Sequence, residues 1–259
     1  MRKKGLFYFI VSAALLLALG YFFRFPLFSV FQSSRIHALH CPGVNGATGC
    51  RNKIWVHRVN SLPRYDLLAG QFDGFETDIY FNNSSGSFSV YHPPVPQEGD
   101  TLSFDHFLSH VDLAAKHFWL DTRGVDMNNA KKALDALQAT GKSDLLRKNC
   151  IFELYDAGAA AEFSKAGYTA SFDIAFLEKK KMASDSHFAD SINGYLENVK
   201  YVSAESGEVG QMKKMFPAKK IITWHLHYVD YLHLSKIQRL LDDDQIDIVL
   251  LQARSRYYR

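Results

Sequence analysis

The sequence lacks most of the features that would assign it quickly. It holds only 3 cysteines in 259 residues, too few for a disulfide-built scaffold. Its net charge is +3, and a nucleic-acid binder would cluster Lys and Arg in a strong patch, so no nucleic-acid partner is expected. No G-x-G-x-x-G follows any strand-like run, which removes the usual dinucleotide fingerprint. His37, His40, Cys41 and Cys50 lie close together but match no standard zinc spacing. Hydrophobic residues make up 47% and charged residues 22%, which excludes a disordered or fibrous chain.

One long apolar run is present, at the N-terminus. Gly5 to Phe23 carries no charge and follows Arg2-Lys3-Lys4. Its length is close to the ~20 residues a helix needs to cross a bilayer. The basic end is expected to stay cytoplasmic, with the remainder periplasmic or extracellular. Gly20-Tyr21-Phe22-Phe23-Arg24 is bulky where a signal peptidase reads small residues, which favours an uncleaved signal anchor over a cleaved signal peptide. The chain is therefore expected to divide into a basic end and transmembrane anchor (1–24), a linker (25–53) and a catalytic-sized domain (54–259). In the linker, Cys41 and Cys50 bracket a turn-rich loop, and in an exported chain they are expected to form a disulfide. Cys150 precedes Ile151-Phe152 and reads as a buried thiol.

After residue 53, short apolar or β-branched runs alternate with helical stretches. Strands are expected over 54–59, 74–81, 118–122, 150–155, 169–176, 201–204, 221–226 and 246–252. A hairpin arm over 87–92 follows the turn signal Asn82-Asn83-Ser84-Ser85-Gly86. Helices are expected over 129–139, 159–166 and 232–241. Eight strands alternating with helices imply parallel βαβ units, and a closed (β/α)8 TIM barrel of the α/β class fits better than an open sheet.

Chemistry in such barrels sits where the strands end. Strand one yields His57-Arg58-Val59-Asn60. Strand two carries Glu76-Thr77-Asp78, whose alternation puts both carboxylates on one face. Two buried like charges are costly to desolvate, and a hard divalent cation such as Mg²⁺ or Ca²⁺ relieves that cost. The hairpin arm leads to His92-Pro93-Pro94. Strand three ends Asp121-Thr122-Arg123, strand four carries Glu153, and strand seven ends Thr223-Trp224-His225.

His, E-x-D, His and D-x-R at successive strand ends resemble the glycerophosphodiester phosphodiesterase-like superfamily of barrels. The spacing of Val56-His57-Arg58, Phe75-Glu76-Thr77-Asp78 and Tyr91-His92 is similar to the sphingomyelinase D branch. His92-Pro93-Pro94 is similar to menorin-like domains. Three positions depart from the family pattern: Val59 stands where glycine is usual, Asp121 where glutamate is common, and Arg123 where lysine is usual. The resemblance implies a phosphoric diester hydrolase in which a hydroxyl or water attacks and an alcohol leaves. Glu76, Asp78 and Asp121 are the candidate ligands of one divalent cation. His57 and His92 are the candidate base and acid. Arg58, Asn60, Arg123, Glu153 and Trp224 are the candidate phosphate- or substrate-binding residues, with Arg58 alternatively pairing with a carboxylate and Asn60 alternatively orienting the site or starting the next helix. Trp224 either meets a choline-like head group by cation–π contact or packs as a core indole. The expected function is a membrane-anchored, metal-dependent phosphodiesterase acting on glycerophosphodiesters or phospholipid head groups. The alternatives are a non-catalytic barrel that binds a phosphorylated ligand or partner, and a sugar hydrolase pairing Glu76 with Glu153.

Overall fold

The structure is a computed structural model whose described residues are 11–16, 18–20, 39, 52–93, 101–174, 192–226 and 234–252. The expected Cys41–Cys50 bridge and Pro94 lie outside them. Nine strands form a single sheet: β1 Ile54–Val56, β2 Gly74–Asn82, β3 Ser87–Val90, β4 His117–Arg123, β5 Cys150–Leu154, β6 Thr169–Asp173, β7 Tyr201–Glu205, β8 Lys220–His225 and β9 Ile246–Leu251. The named helices are α1 Leu62–Leu68, α2 Phe104–His110, α3 Ala130–Ala139, α4 Ser143–Asn149, α5 Ala157–Lys165, α6 Val209–Met215 and α7 Leu234–Leu241.

All strands but β3 run parallel in the order β1-β9-β8-β7-β6-β5-β4-β2, and β1 pairs with β2 at Val56 and Phe75 to close the ring. The expected (β/α)8 barrel is therefore present. The antiparallel β3 lies outside the ring, paired to the far half of β2 from Ile79 to Asn82. Asn82 builds the turn between them, its side-chain oxygen accepting from the backbone N–H of Ser84 at 2.9 Å.

The strands are apolar on both faces because each face is covered. Outward residues pack against the helices: Phe75 lies 5.7 Å from Phe118, with Tyr65 of α1 and Phe107 of α2 completing the contact. Inward residues form a separate cluster of Trp55, Trp119, Ile151, Tyr201, Ile222, Ile248 and Leu250, which fills the barrel floor. Polarity then changes along each strand. On the inward face β4 reads His117, Trp119, Asp121, Arg123, from floor to mouth.

Several boundaries differ from the sequence expectation for identifiable reasons. β1 ends at Val56 rather than 59, because Arg58 takes the left-handed conformation with φ +59°. Helix α5 begins at Ala157 rather than 159, because Asp156 caps it by accepting from the Ala159 N–H at 2.8 Å. β6 ends at Asp173, short of the expected 176. Cys150 is a buried free thiol, as expected. Among the described residues no helix is long and apolar enough to cross a membrane. Residues 11–16 and 18–20, inside the expected N-terminal span, are helical, with Val11, Leu15, Leu16 and Leu19 exposed.

The floor imposes one stringent requirement. A Cβ at Gly74 would lie 2.2 Å from Cδ1 of Trp55, whose ring lies across the start of β2. Gly74→Ala should therefore destabilise by about 1–3 kcal/mol or more, as overpacking of a filled core does. Urea denaturation checks this, and the double variant Gly74→Ala/Trp55→Leu should recover part of the loss. An unchanged midpoint in Gly74→Ala would show that the floor is not packed in this way.

Candidate active site

The site is a product of strand register. β2 and β4 place Asp78 beside Asp121, and β5 continues the row with Glu153 beside Asp121. Alternation brings Glu76, Asp78, Asp121, Glu153 and, from β6, Asp173 into the barrel above the apolar floor. All are buried, Asp78 to the point that 1% of its surface is exposed. One oxygen from each of Glu76, Asp78 and Asp121 lies within 4.8 Å of the others. They line a cavity of about 290 Å³ together with His57, Arg58, His92, Arg123, Tyr155 and Trp224.

The loop after β1 is stapled to β2 and orients two of the carboxylates. The left-handed turn at Arg58 aims its backbone N–H at Glu76 Oε2, 2.6 Å away. Asn60 donates from Nδ2 to Asp78 Oδ2 at 2.6 Å, and its Oδ1 accepts from the Asp78 N–H at 2.9 Å. Val59 N–H bonds the Glu76 carbonyl at 2.8 Å, and the Thr77 hydroxyl donates back to the Val59 carbonyl at 3.1 Å. Asp121 is held from the other side. Its Oδ1 accepts from the Tyr155 hydroxyl at 2.7 Å and its Oδ2 from Arg123 Nη2 at 2.8 Å.

The histidines flank the carboxylates. His57 Nε2 lies 3.6 Å from Glu76 Oε2, and His92 Nε2 lies 3.8 Å from Asp78 Oδ1. Arg58 and Arg123 each approach Asp78 with Nε at 3.9 Å. Five carboxylates thus face two guanidinium groups. Burial, then the charges of Asp78 and Asp121, push the Glu76 carboxyl well above its ordinary range. Burial and the Asp121 charge push Asp78 up to about 7, against the opposing hydrogen bond from Asn60. Burial and Asp173 push Glu153 up in the same way. Burial, followed by Arg58 and Arg123, lowers the pKa of His92. An oxygen-only donor set crowded at one point, reluctant to ionise unaided, fits a hard divalent cation.

The structure thus brings most of the expected site residues to one cavity: His57, Arg58, Glu76, Asp78, His92, Asp121, Arg123, Glu153 and Trp224. Asn60 is the exception, and its hydrogen bonds to Asp78 agree with the other expectation for it, that it orients the site. Its amide is taken up by Asp78, and it orients that carboxylate without lining the cavity. Trp224 packs edge-to-face on Trp119 at 6.3 Å and also lines the cavity. Tyr155 and Asp173 were not anticipated. Both sit two residues beyond an inward polar side chain, Glu153 and Ser171, so strict alternation along β5 and β6 would have found them.

No protein-family model matches the sequence, and no curated protein matches it. Solved structures do. A glycerophosphodiester phosphodiesterase from Parabacteroides distasonis aligns with TM-score 0.58 and 12% identity, over 79% of this chain and 94% of that one. One from Thermotoga maritima aligns with TM-score 0.54 and 17% identity, over 76% and 93%. An Oleispira antarctica phosphodiesterase in complex with the product sn-glycerol-3-phosphate aligns with TM-score 0.52 and 10% identity, over 80% and 93%. The chain has the glycerophosphodiester phosphodiesterase-like barrel fold. The likeness does not select the sphingomyelinase D-like or menorin-like branch.

The raised carboxyl groups set a pH dependence. In the folded state Glu76, Asp78 and Glu153 hold protons that the unfolded chain releases near pH ~4. The folded state therefore binds more protons between that pH and the raised values, and stability falls as pH rises through the window. Cation-free protein should melt at a lower temperature at about pH 7.5 than at about pH 5, and Mg²⁺ or Ca²⁺ should raise the melting temperature more at the higher pH. A melting temperature that rises with pH in the absence of cation would contradict this.

Proposed function

We propose that the chain is a metal-dependent phosphoric diester hydrolase, acting on glycerophosphodiesters or phospholipid head groups and held at a membrane by its N-terminal segment. The observation that carries the reading is the crowding of Glu76, Asp78 and Asp121 in one cavity with two histidines and two arginines. The fold likeness to glycerophosphodiester phosphodiesterases, one solved with sn-glycerol-3-phosphate, supports a phosphodiester substrate. Glu76, Asp78 and Asp121 would hold one divalent cation, Mg²⁺ or Ca²⁺, which when bound supplies charge neutralisation and polarises a phosphate oxygen.

The remaining steps belong to the chain's own side chains. Arg58 and Arg123 line the cavity as fixed cations and offer forked donors to the non-bridging phosphate oxygens. Arg123 keeps its charge despite burial, because the Asp121 carboxylate outweighs the desolvation that opposes it. His92, whose pKa is lowered by burial and then by Arg58 and Arg123, is assigned the base, the reverse of the order expected from the sequence, with its Nε2 taking the proton of the attacking hydroxyl or water. His57, with its Nε2 3.6 Å from Glu76 Oε2, is assigned the acid that delivers a proton to the leaving alcohol. Trp119 and the floor beneath it exclude water from below.

A second reading, a non-catalytic barrel that binds a phosphorylated ligand, draws on the Arg123–Asp121 pair at 2.8 Å. Turnover separates the two. With Mg²⁺ or Ca²⁺, the purified chain should hydrolyse glycerophosphodiesters, and His57→Ala should lower kcat/KM by about 10²–10⁴ with an unchanged melting temperature. Binding of a phosphorylated ligand without turnover would support the second reading, and full activity in His57→Ala would end the two-histidine scheme.

The membrane tether is supported by the exposed Val11, Leu15, Leu16 and Leu19 on a helical stretch free of charged side chains. In this reading the N-terminus is cytoplasmic and the barrel periplasmic or extracellular. The expressed full chain should stay in the membrane pellet after alkaline carbonate extraction. Its release to the supernatant would contradict an anchoring span.

A further inference from the structure

We infer that Tyr155 is a positioning residue that fixes Asp121 as a cation ligand, an inference that rests on the cation site proposed above. Asp121 stands between two carboxylates in the row, with Asp78 beside it on β2 and Glu153 beside it on β5. Glu76 and Asp78 are tied by the stapled loop, through the Arg58 N–H and the Asn60 amide. The donors that hold Asp121 are both side chains, Tyr155 on Oδ1 at 2.7 Å and Arg123 on Oδ2 at 2.8 Å.

These two donors are not equivalent. Arg123 also reaches Asp78 at 3.9 Å and is partly exposed, so its charge is shared and open to competition from a substrate phosphate. Tyr155 brings no charge of its own, and its hydroxyl is committed to Asp121 Oδ1 at 2.7 Å. Its ring lies under the Arg123 guanidinium at 5.1 Å, so the phenol also limits where that arginine can go. Tyr155 stands just beyond β5, on the same face as Glu153, and its hydroxyl reaches the oxygen of Asp121 that Arg123 leaves open. Outer-shell donors of this kind typically set ligand orientation and are worth about 10–100-fold in metal affinity.

The test uses the full chain and Mn²⁺ alone as the probe, with the free-ion EPR signal as the readout. Tyr155→Phe should weaken Mn²⁺ binding by about 10–100-fold. Tyr155→Gln keeps a donor and should fall between that variant and the wild type. Phosphodiesterase activity of Tyr155→Phe should return toward the wild-type kcat as Mn²⁺ is raised to saturation, a recovery that a general loss of structure would not show. Equal Mn²⁺ affinity in wild type and Tyr155→Phe overturns the inference and leaves the cation site standing. Equal affinity in Tyr155→Gln and Tyr155→Phe shows that the hydrogen bond is not the cause, and also overturns it. Absence of Mn²⁺ binding to the wild type overturns the cation site itself.

Discussion

Mutual repulsion among buried carboxylates is the constraint on which the upper half of this barrel depends. Glu76, Asp78, Asp121, Glu153 and Asp173 share an interior lined by two arginines. Such a group stays folded only if its members are protonated, hydrogen-bonded or neutralised by a cation. The surroundings are organised accordingly. A backbone N–H, an asparagine amide, a phenol and a guanidinium each meet a different carboxylate oxygen. Placement inside a closed barrel sharpens every one of these interactions, because the aromatic floor keeps water from beneath.

The loop after β1 shows how local geometry serves that constraint. Arg58 adopts a left-handed backbone that costs an L-residue roughly 1–2 kcal/mol. The conformation is offset by what it allows: the Arg58 N–H reaches Glu76, and the next residues bond Glu76 and Asp78 through backbone and side chain. Arg64 of α1 anchors the same turn by donating to the His57 carbonyl at 2.8 Å. The His57 side chain is thus presented by a segment secured on three sides. Val59 is fully buried in the outer core, which packs this turn against the barrel beside the cavity.

Much of this was legible in the sequence because barrel strands are written plainly. Runs such as Cys150–Leu154 and Ile246–Leu251 are apolar on both faces, and a charged residue within one of them stands out. Glu76, Asp78 and Asp121 were visible for that reason. What was hidden depends on contacts between distant segments. Asn60 looks like a ligand-binding amide until its partner, 18 residues away, is known. Tyr155 looks like one more aromatic in a chain that has 13 tyrosines, and only the β4–β5 register reveals that its hydroxyl meets Asp121. Strand ends were least legible, because a positive φ at Arg58 or a cap at Asp156 is a backbone event that composition does not announce.

The Trp55–Trp119 floor has a further consequence for molecular traffic. Trp55 crosses the barrel over Gly74, and Trp119 is fully enclosed above it, so among the described residues the barrel is packed shut beneath the cavity. A cavity of about 290 Å³ above such a floor has room for a small polar group at the carboxylates, and anything longer must extend away from the floor.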